Sequence, residues 1–279
     1  MCRRPHRAGT TLGAVSSGLA RVACIIPAKD EQDRVGATVT AARALPGVEV
    51  VVVCDDGSSD ATAAHAAAAG AIVVSHERNR GKAAAVESAV NGLGVVEQRD
   101  RLPEVGTLLL LDADLGASAA RCAPLVDAVV SGRAALAIAV LPPQQTADGQ
   151  QAGGMGLVMG TARRGITELT GWTPRAPLSG QRCLTRRAFE LASPLAAGWG
   201  MEVGMTIDVL RAGLTVEEID VDLTHRATGT DLAGQLHRAS QLKDVTRALA
   251  ARGLVGRLRE RNAPDGVPGL LRRLGRGRR

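Results

Sequence analysis

Short apolar runs alternate with small-residue segments over the first half of the chain. The runs predict strands within 22–28, 48–60, 71–76, 107–116 and 135–142. Continuous apolar runs that end in turn residues are typical of strands covered by helices on both faces. The segments between them favour helices, at 31–45, 60–70 and 81–93. This alternation predicts an α/β fold built on a doubly wound, mostly parallel sheet.

The second half of the chain continues the pattern after a long interruption. Gly, Pro and Gln dominate residues 142–160, which predicts a mobile loop of the kind that is usually functional. Further helices are predicted at 157–171, 188–198 and 200–213. Alternating residues from Leu214 predict a strand that ends near His225 and Arg226. The amphipathic 157–171 segment is also a candidate homodimer interface.

Composition indicates a globular protein of a reducing compartment. Hydrophobic residues make up 45% of the 279 residues, with aromatics at only 1%, so aliphatic side chains must build the core. The five cysteines are scattered without metal-type spacing. Neither a membrane span nor a secretory leader is recognisable, so we expect a cytoplasmic location.

The positive charge is concentrated at the carboxyl terminus. Residues 257–279 contain eight Arg against Glu260 and Asp265, which accounts for the whole net charge of +6. The neutral remainder argues against nucleic acid as a partner. The basic segment is interpreted either as a solvated, partly disordered end or as a peripheral contact with anionic lipid on the inner face of the plasma membrane.

Polar clusters follow three of the predicted strands, at 27–31, 55–60 and 112–114. Ligands of open α/β sheets bind beyond the carboxyl ends of the strands, so we expect the three clusters to converge on one cleft. Helix capping is the ordinary explanation for residues 58–60, but it fits Asp112 and Asp114 poorly.

Asp112 and Asp114 directly follow four consecutive leucines. A carboxylate pair at such a strand end can hold Mg²⁺ or Mn²⁺, and the cation can neutralise a phosphate leaving group. An imidazole ligand from His225 would favour Mn²⁺. Lys82 stands at a predicted helix start, where it would meet a phosphate or pair with the acidic cluster.

Six segments in order resemble the GT-A fold glycosyltransferases of family 2, over about residues 20–250. They are "IIPAKDE", "VVVCDDGSSDAT", "NRGKAAA", "LLLLDADL", "LSGQRCLTRRAFE" and "VDLTHRATG". The pattern resembles both the polyprenyl-phosphate glycosyltransferases and the glucosyl-3-phosphoglycerate synthases of that family. It implies a Rossmann-like GT-A domain over 21–250 with a C-terminal acceptor-side subregion, between a disordered 1–20 and a basic tail, 251–279.

The resemblance implies a nucleotide-sugar donor and a set of residues that bind it. The implied donor-binding residues are Pro27, Ala28, Glu31, Asp55, Asp56, Lys82, Asp112, Ala113 and Arg226. The first three would line the nucleoside pocket, Asp55 would hold the base, and Ala113 would touch the ribose. The implied ligands of Mg²⁺ or Mn²⁺ are Asp112, Asp114 and His225.

On the acceptor side, the resemblance implies a turn formed by Ser179, Gly180, Gln181 and Arg182. Glu202 falls where such enzymes carry an acidic residue, so Glu202 and Asp114 are the catalytic candidates. In an inverting reaction Glu202 would be the base for an acceptor hydroxyl, whereas an acceptor phosphate needs none. Alternatively, Glu202 is a buried acid paired with an Arg. Gln181 replaces the aromatic residue of the lipid-linked pattern, which weakens the case for a polyprenyl-phosphate acceptor, so a small molecule and polyprenyl phosphate both remain candidate acceptors.

Two other functions fit parts of the pattern. A sugar nucleotidyltransferase also uses paired carboxylates, but it usually carries a Gly-rich basic loop where this chain has "PAKDEQD". A non-catalytic nucleotide-binding module at the membrane surface would place its Lys after the acidic strand, whereas Lys82 precedes it. Both therefore rank below a metal-dependent glycosyltransferase.

Overall fold

A seven-stranded sheet forms the centre of the molecule. The computed structural model describes residues 21–142, 155–223 and 232–254. The strands are β1 (Val22–Ala28), β2 (Val48–Asp55), β3 (Ile72–Ser75), β4 (Thr107–Leu110), β5 (Leu136–Val140), β6 (Arg182–Thr185) and β7 (Val216–Asp220). Their order is β3-β2-β1-β4-β6-β5-β7. Only β6 runs antiparallel to its neighbours, which makes the sheet mostly parallel as predicted.

Helices connect the strands and cover both faces of the sheet. They are α1 (Val35–Arg43), α2 (Thr62–Ala68), α3 (Lys82–Arg99), α4 (Ala123–Val130), α5 (Met155–Thr170), α6 (Arg186–Ala192), α7 (Met201–Arg211) and α8 (Leu232–Ala251). Two short 3₁₀ segments occur at Gly116–Cys122 and Gly198–Gly200. Strands that alternate with helices confirm the predicted α/β class.

Two apolar clusters lie on opposite faces of the sheet. Along β1, Cys24 and Ile26 belong to the cluster covered by α1 and α4, whereas Ala23 and Ile25 belong to the cluster covered by α3, α6 and α7. Successive side chains of a strand point to opposite faces, so a strand buried on both must be apolar at every position. This explains the unbroken apolar runs of the sequence.

A third apolar cluster joins α5, α7 and α8 beside the sheet. It contains Ile166, Ile207 and Leu249 among its fully buried members. Gly165 of α5 has no room for a side chain, because an added Cβ would collide with Leu249. Helix α8 was not predicted from the sequence, and this cluster is where it attaches to the fold.

The register of the parallel strands brings the three predicted polar clusters to one edge. Ala28 lies opposite Asp55 across β1 and β2. Ile25 lies opposite Leu110, and the Leu111 N–H donates to the Ile25 carbonyl at 3.1 Å. The loops after β1, β2 and β4 therefore leave the sheet side by side.

Strand β6 is the main departure from the predicted elements. It lies between β4 and β5, with Arg182 opposite both Leu110 and Ile138. The predicted strand at 107–116 is also shorter, since β4 ends at Leu110. Strand β6 escapes sequence analysis because it is four residues long and begins with a charged side chain.

Several predictions fall outside the described residues. These are the disordered 1–20 segment, residues 143–154 of the predicted loop, the basic tail beyond Leu254, and the roles of His225 and Arg226. The loop was predicted to extend to residue 160, but residues 155–160 belong to α5. The domain limits 21–250 therefore remain a prediction. None of the helices in the described part of the chain is long and apolar enough to cross a membrane.

Candidate active site

The loops that follow β1 and β2 are bound to each other. Ser59 donates its N–H to the Asp30 carboxylate at 2.8 Å, and Asp30 donates its own N–H to Ser58 Oγ at 2.9 Å. The Glu31 N–H donates to Thr62 Oγ1 at 2.8 Å. Polar residues that look like ordinary turn formers in sequence thus join two loops into one wall.

The side chains predicted for the nucleoside pocket lie at this wall. Pro27 and Glu31 are half-buried, while Ala28 and Asp55 keep only 4% and 8% of their surface exposed. Asp55 accepts the Ser58 N–H at 3.1 Å, which fixes its carboxylate at the end of β2. The structure therefore brings these four predicted residues together.

Asp56 accepts three hydrogen bonds from the segment that follows β3. It accepts from His76 Nδ1 at 2.7 Å and from the N–H groups of Arg80 and Gly81 at 2.8 Å each. Burial alone would raise the pKa of Asp56, but these three donors outweigh burial and lower it. Asp56 is accordingly an ionised anchor for the loop that enters α3.

Lys82, the first residue of α3, connects two carboxylates. Its Nζ lies 2.6 Å from Asp112 Oδ1 and 3.0 Å from Glu202 Oε1. Burial would lower the pKa of Lys82, but Asp112 and Glu202 outweigh it and raise the pKa. The ammonium therefore stays charged, and Lys82 pairs with the acidic cluster as one of its two predicted roles required.

The residues just before β6 press against this ion pair. Gln181 accepts the Asp112 N–H at 2.9 Å, and its Nε2 donates to Asp112 Oδ2 at 2.7 Å. A Cβ on Gly180 would lie 2.5 Å from Lys82 Nζ and 2.8 Å from Asp112 Oδ2. Position 180 thus has to be glycine for Lys82 and Asp112 to keep their places.

Arg182 anchors the same segment from inside the protein. The side chain is fully buried, and it donates to the Ser179 carbonyl at 2.7 Å and to Thr206 Oγ1 at 2.9 Å. Burial lowers the pKa of Arg182 to about 10, although Glu202 and Glu218 partly offset this. Arg182 was predicted for the acceptor side, but its guanidinium donates to protein groups.

Glu202 lies in the first turn of α7 with 1% of its surface exposed. Its Oε1 pairs with Lys82, whereas its Oε2 is buried without a hydrogen-bond partner in the described part of the chain. Ser179 Oγ is the other such atom among the described residues. Buried polar atoms rarely lack partners, so Glu202 Oε2, in the carboxylate that pairs with Lys82, marks a place where a bound group completes the hydrogen bonds.

Asp114 differs from Asp112 in its surroundings. Thr38 Oγ1 donates to the Ala113 carbonyl at 2.7 Å and accepts the Gly116 N–H at 2.8 Å, which fixes the turn that carries Asp114. The Asp114 side chain is half-buried and forms no hydrogen bond or ion pair within the described ranges. Its negative charge is therefore available to a cation.

The described residues offer two carboxylates to a metal ion. They contain no group of three or more His, Cys, Asp and Glu side chains that could hold one, and the predicted third ligand, His225, lies outside them. Mg²⁺ is commonly bound through one or two carboxylates together with substrate phosphates and water. The Asp112 and Asp114 pair fits that kind of shared site.

Sequence reasoning missed two residues of this region. The sequence pattern predicted His76 as a histidine with satisfied hydrogen bonds at a strand end, and it does follow β3 directly, but its link to the loop before Lys82 was not predicted. Thr38 was not singled out, because a threonine inside a helix carries no local mark of a contact with a distant turn.

The comparisons with known proteins agree with this geometry. Residues 23–171, more than half of the chain, match the model of glycosyl transferase family 2. The chain therefore belongs to glycosyl transferase family 2, and it is a glycosyltransferase with the GT-A fold. Family membership favours this class over the nucleotidyltransferase and the non-catalytic module.

Among individual proteins, the chain is similar to the glucosyl-3-phosphoglycerate synthase of Mycolicibacterium paratuberculosis. The two are 28% identical over 228 residues, which cover 75% of this chain and 67% of that protein. A crystal structure of the Mycobacterium tuberculosis synthase with Mn²⁺, UDP-glucose and phosphoglyceric acid is 25% identical, with a TM-score of 0.64 and coverage of 88% and 85%. The same synthase with Mg²⁺ and UDP is 24% identical, with a TM-score of 0.65 and coverage of 88% and 85%.

Proposed function

We propose that this glycosyltransferase moves a sugar from a nucleoside diphosphate donor to a small phosphorylated hydroxy acid, with the help of Mg²⁺ or Mn²⁺. The observation that carries the proposal is the contact of Lys82 with both Asp112 and Glu202, beside Asp114. The likeness to a glucosyl-3-phosphoglycerate synthase makes UDP-glucose and phosphoglycerate the first pair to test.

The donor nucleoside is assigned to the wall after β1 and β2. Asp55 would accept hydrogen bonds from the base, next to Pro27 and Ala28. Ala113 would touch the ribose, as the family resemblance implies. The bond from Thr38 Oγ1 to its carbonyl fixes the backbone at this position. Glu31, Asp56 and Arg226 complete the proposed donor-binding set.

The cation is assigned to Asp112 and Asp114, which form the Asp-x-Asp motif of the proposal, with His225 as the third ligand. Asp114 would be the main contact, since Asp112 already pairs with Lys82. When bound, the cation would supply positive charge that offsets the charge developing on the diphosphate. Lys82 adds a second fixed positive charge on the same side of the site.

The reaction breaks the bond between the anomeric carbon and the diphosphate oxygen and forms a bond from an acceptor oxygen to that carbon. A hydroxyl acceptor loses its proton in the process, and Glu202 is the proposed base for an inverting reaction. Glu202 Oε2 supports this role, because it makes no hydrogen bond within the described residues.

The acceptor is assigned to the side formed by Ser179 and Gly180. Gln181 is 4% exposed and uses both ends of its amide on Asp112, so it offers no contact to a long lipid. This supports a small acceptor over polyprenyl phosphate.

The four cysteines of the described residues are free and buried, which is compatible with the proposed cytoplasmic location. Lipid contact through the basic tail is a further proposal. Homodimer formation through 157–171 is another, and it would use the exposed face of α5, because the apolar face is buried against α7 and α8.

Asp114→Ala tests the proposed metal role. We expect the rate of transfer from UDP-glucose to fall by at least about 100-fold. Loss of a residue that only orients a metal ligand lowers metal affinity or activity about 10–100-fold, and this variant loses the ligand itself. The thermal unfolding midpoint should stay close to that of the wild type, since Asp114 makes no hydrogen bond or ion pair among the described residues. The readouts are release of UDP at several Mn²⁺ and Mg²⁺ concentrations and a melting curve.

Asp127→Ala is the matched control, since that side chain is 71% exposed on α4 and its one ion pair among the described residues is with the surface residue Arg133. It should leave turnover and metal dependence unchanged. Retention of metal-dependent transfer by Asp114→Ala would contradict the metal assignment. Release of pyrophosphate from a nucleoside triphosphate by the wild type would contradict the proposed reaction itself.

A further inference from the structure

A buried histidine connects the end of β2 to helix α3, close to Lys82. His76 and Asp56 each keep only 6% of their side-chain surface exposed. His76 Nδ1 lies 2.7 Å from Asp56 Oδ1, and His76 Nε2 lies 2.8 Å from Ser88 Oγ on α3. Asp56, His76 and Ser88 therefore form one continuous chain of hydrogen bonds.

The partners of His76 define the hydrogen positions on its ring. Asp56 is an ionised acceptor, so Nδ1 carries the hydrogen and donates. In the neutral ring Nε2 then accepts from the Ser88 hydroxyl. The order of acid, imidazole and hydroxyl resembles a hydrolytic triad, but both ring nitrogens are already bonded to protein groups, and Asp56 also holds the backbone N–H groups of Arg80 and Gly81. The arrangement is suited to holding structure in place.

What Asp56 holds is the backbone that leads into α3. Its two carboxylate oxygens accept the N–H groups of Arg80 and Gly81, the two residues before Lys82. The same loop presses directly on the end of β2, because a Cβ on Gly57 would lie 2.6 Å from the Arg78 carbonyl carbon. The position at which α3 begins is thus defined by contacts with Asp56 and Gly57.

We propose that His76 is a positioning residue for donor binding in this enzyme. By fixing Asp56 it sets the backbone at 80–81, and through that backbone it sets Lys82 Nζ between Asp112 and Glu202. A misplaced ammonium would meet the diphosphate poorly, because the strength of a fixed charge depends on its distance from the developing charge. The inference rests on the proposed function, since it assumes a nucleoside diphosphate donor.

The test compares His76→Leu with His76→Asn. Leucine fills similar space without a donor, whereas the side-chain amide of asparagine can place a nitrogen near the position of Nδ1 and still donate to Asp56. For His76→Leu we expect about a tenfold weaker Kd for UDP with Mn²⁺, or about 1.4 kcal/mol, and a matching rise in the KM for UDP-glucose. The KM for the acceptor should not change, and His76→Asn should recover most of the lost affinity.

Two controls separate positioning from general loss of stability. Ser88→Ala removes the hydroxyl partner of Nε2, leaves the Cys54 Sγ contact at 3.7 Å and keeps the bond to Asp56, so UDP affinity should stay near the wild-type value. Val129→Ala, in the core contributed by α4, should lower the melting temperature and leave the Kd for UDP unchanged. Calorimetry gives the affinities, and thermal unfolding gives the stabilities.

Three results would overturn the inference: a wild-type Kd in His76→Leu, equal weakening in His76→Asn and His76→Leu, or an equal loss of affinity in Val129→Ala. If His76→Leu does not fold, His76→Gln replaces it, since its amide reaches toward Ser88 and should not restore the bond to Asp56. Failure of the wild type to bind UDP at all would instead contradict the proposed function.

Discussion

Asp112 and Asp114 stand one residue apart in sequence, yet their environments are opposite. Asp112 contacts Lys82 and Gln181, so its charge is largely compensated. Asp114 has no such partner within the described part of the chain. The sequence predicted Asp112 and Asp114 as equivalent ligands of one metal ion, whereas only Asp112 already pairs with a positive charge among the described residues. The difference arises from side chains that come from α3 and from the start of β6.

Gln181→Met tests whether the orientation of Asp112 matters. Methionine has nearly the same length but leaves the Asp112 N–H and Oδ2 without their partners. We expect kcat/KM for the donor to fall about 10–100-fold, as for other residues that orient ligands. The free energy of unfolding should fall by about 1–3 kcal/mol because polar groups lose their hydrogen bonds.

Steady-state kinetics and denaturant unfolding measure these two effects. Gln98→Met, at an exposed position near the end of α3, is the matched control and should change neither quantity. A kcat/KM for Gln181→Met equal to that of Gln98→Met would show that Asp112 keeps its orientation without the amide.

At the level of secondary structure, β6 has the largest effect on the site. It pairs antiparallel with β4, and the residues that lead into it reach the Lys82 and Asp112 pair. The family resemblance implied a turn facing the acceptor at residues 179–182, whereas Arg182 is the first residue of β6 and Gln181 directly precedes it. The polar groups of Gln181 and Arg182 are satisfied by partners from the turn after β4, from α7 and from the loop before β6, and none of these partners is visible in a local pattern.

Gly180→Ala tests the close packing at this strand. The added Cβ would overlap Lys82 Nζ and Asp112 Oδ2, so one of the two must move. A displacement of about 1 Å can cost about 100-fold in rate, and we expect a loss of that order in kcat/KM. Gly106→Ala is the control, since nothing lies within 4 Å of its added Cβ. Full activity of Gly180→Ala would mean that the ion pair tolerates rearrangement.

At the scale of the whole molecule, the site forms because the loops after β1, β2 and β4 lie side by side, as the sequence predicted. The register of β1 against β2 and β4 brings these loops to one edge, and Thr38 adds a contact between α1 and the turn after β4. Helix α7 closes the group from the side through Glu202. A ligand bound there would touch segments from both halves of the chain and should therefore stabilise the entire fold.

UDP with Mn²⁺ should accordingly raise the melting temperature of the wild type. A ligand at 100 times its Kd adds about 2.7 kcal/mol to the stability of the folded state. We expect a clearly smaller rise without Mn²⁺, and the same small rise for Asp114→Ala whether or not Mn²⁺ is present. Thermal unfolding with UDP, Mn²⁺ or both measures this. If UDP raised the melting temperature of the wild type equally with and without Mn²⁺, nucleotide binding would not depend on a metal ion held by Asp114.

The apolar runs and the polar residues after them were enough to predict the α/β class, most strands of the sheet, and the edge at which ligands bind. Those properties depend on local periodicity and on turn chemistry, which neighbouring residues carry. The insertion of β6, the packing of α8, and the contacts of Lys82 with Asp112 and Glu202 depend on which distant segments meet. Burial and hydrogen-bond satisfaction decide which segments meet only when the chain is folded, as the bond between Gln181 and Asp112, 69 positions apart in sequence, illustrates.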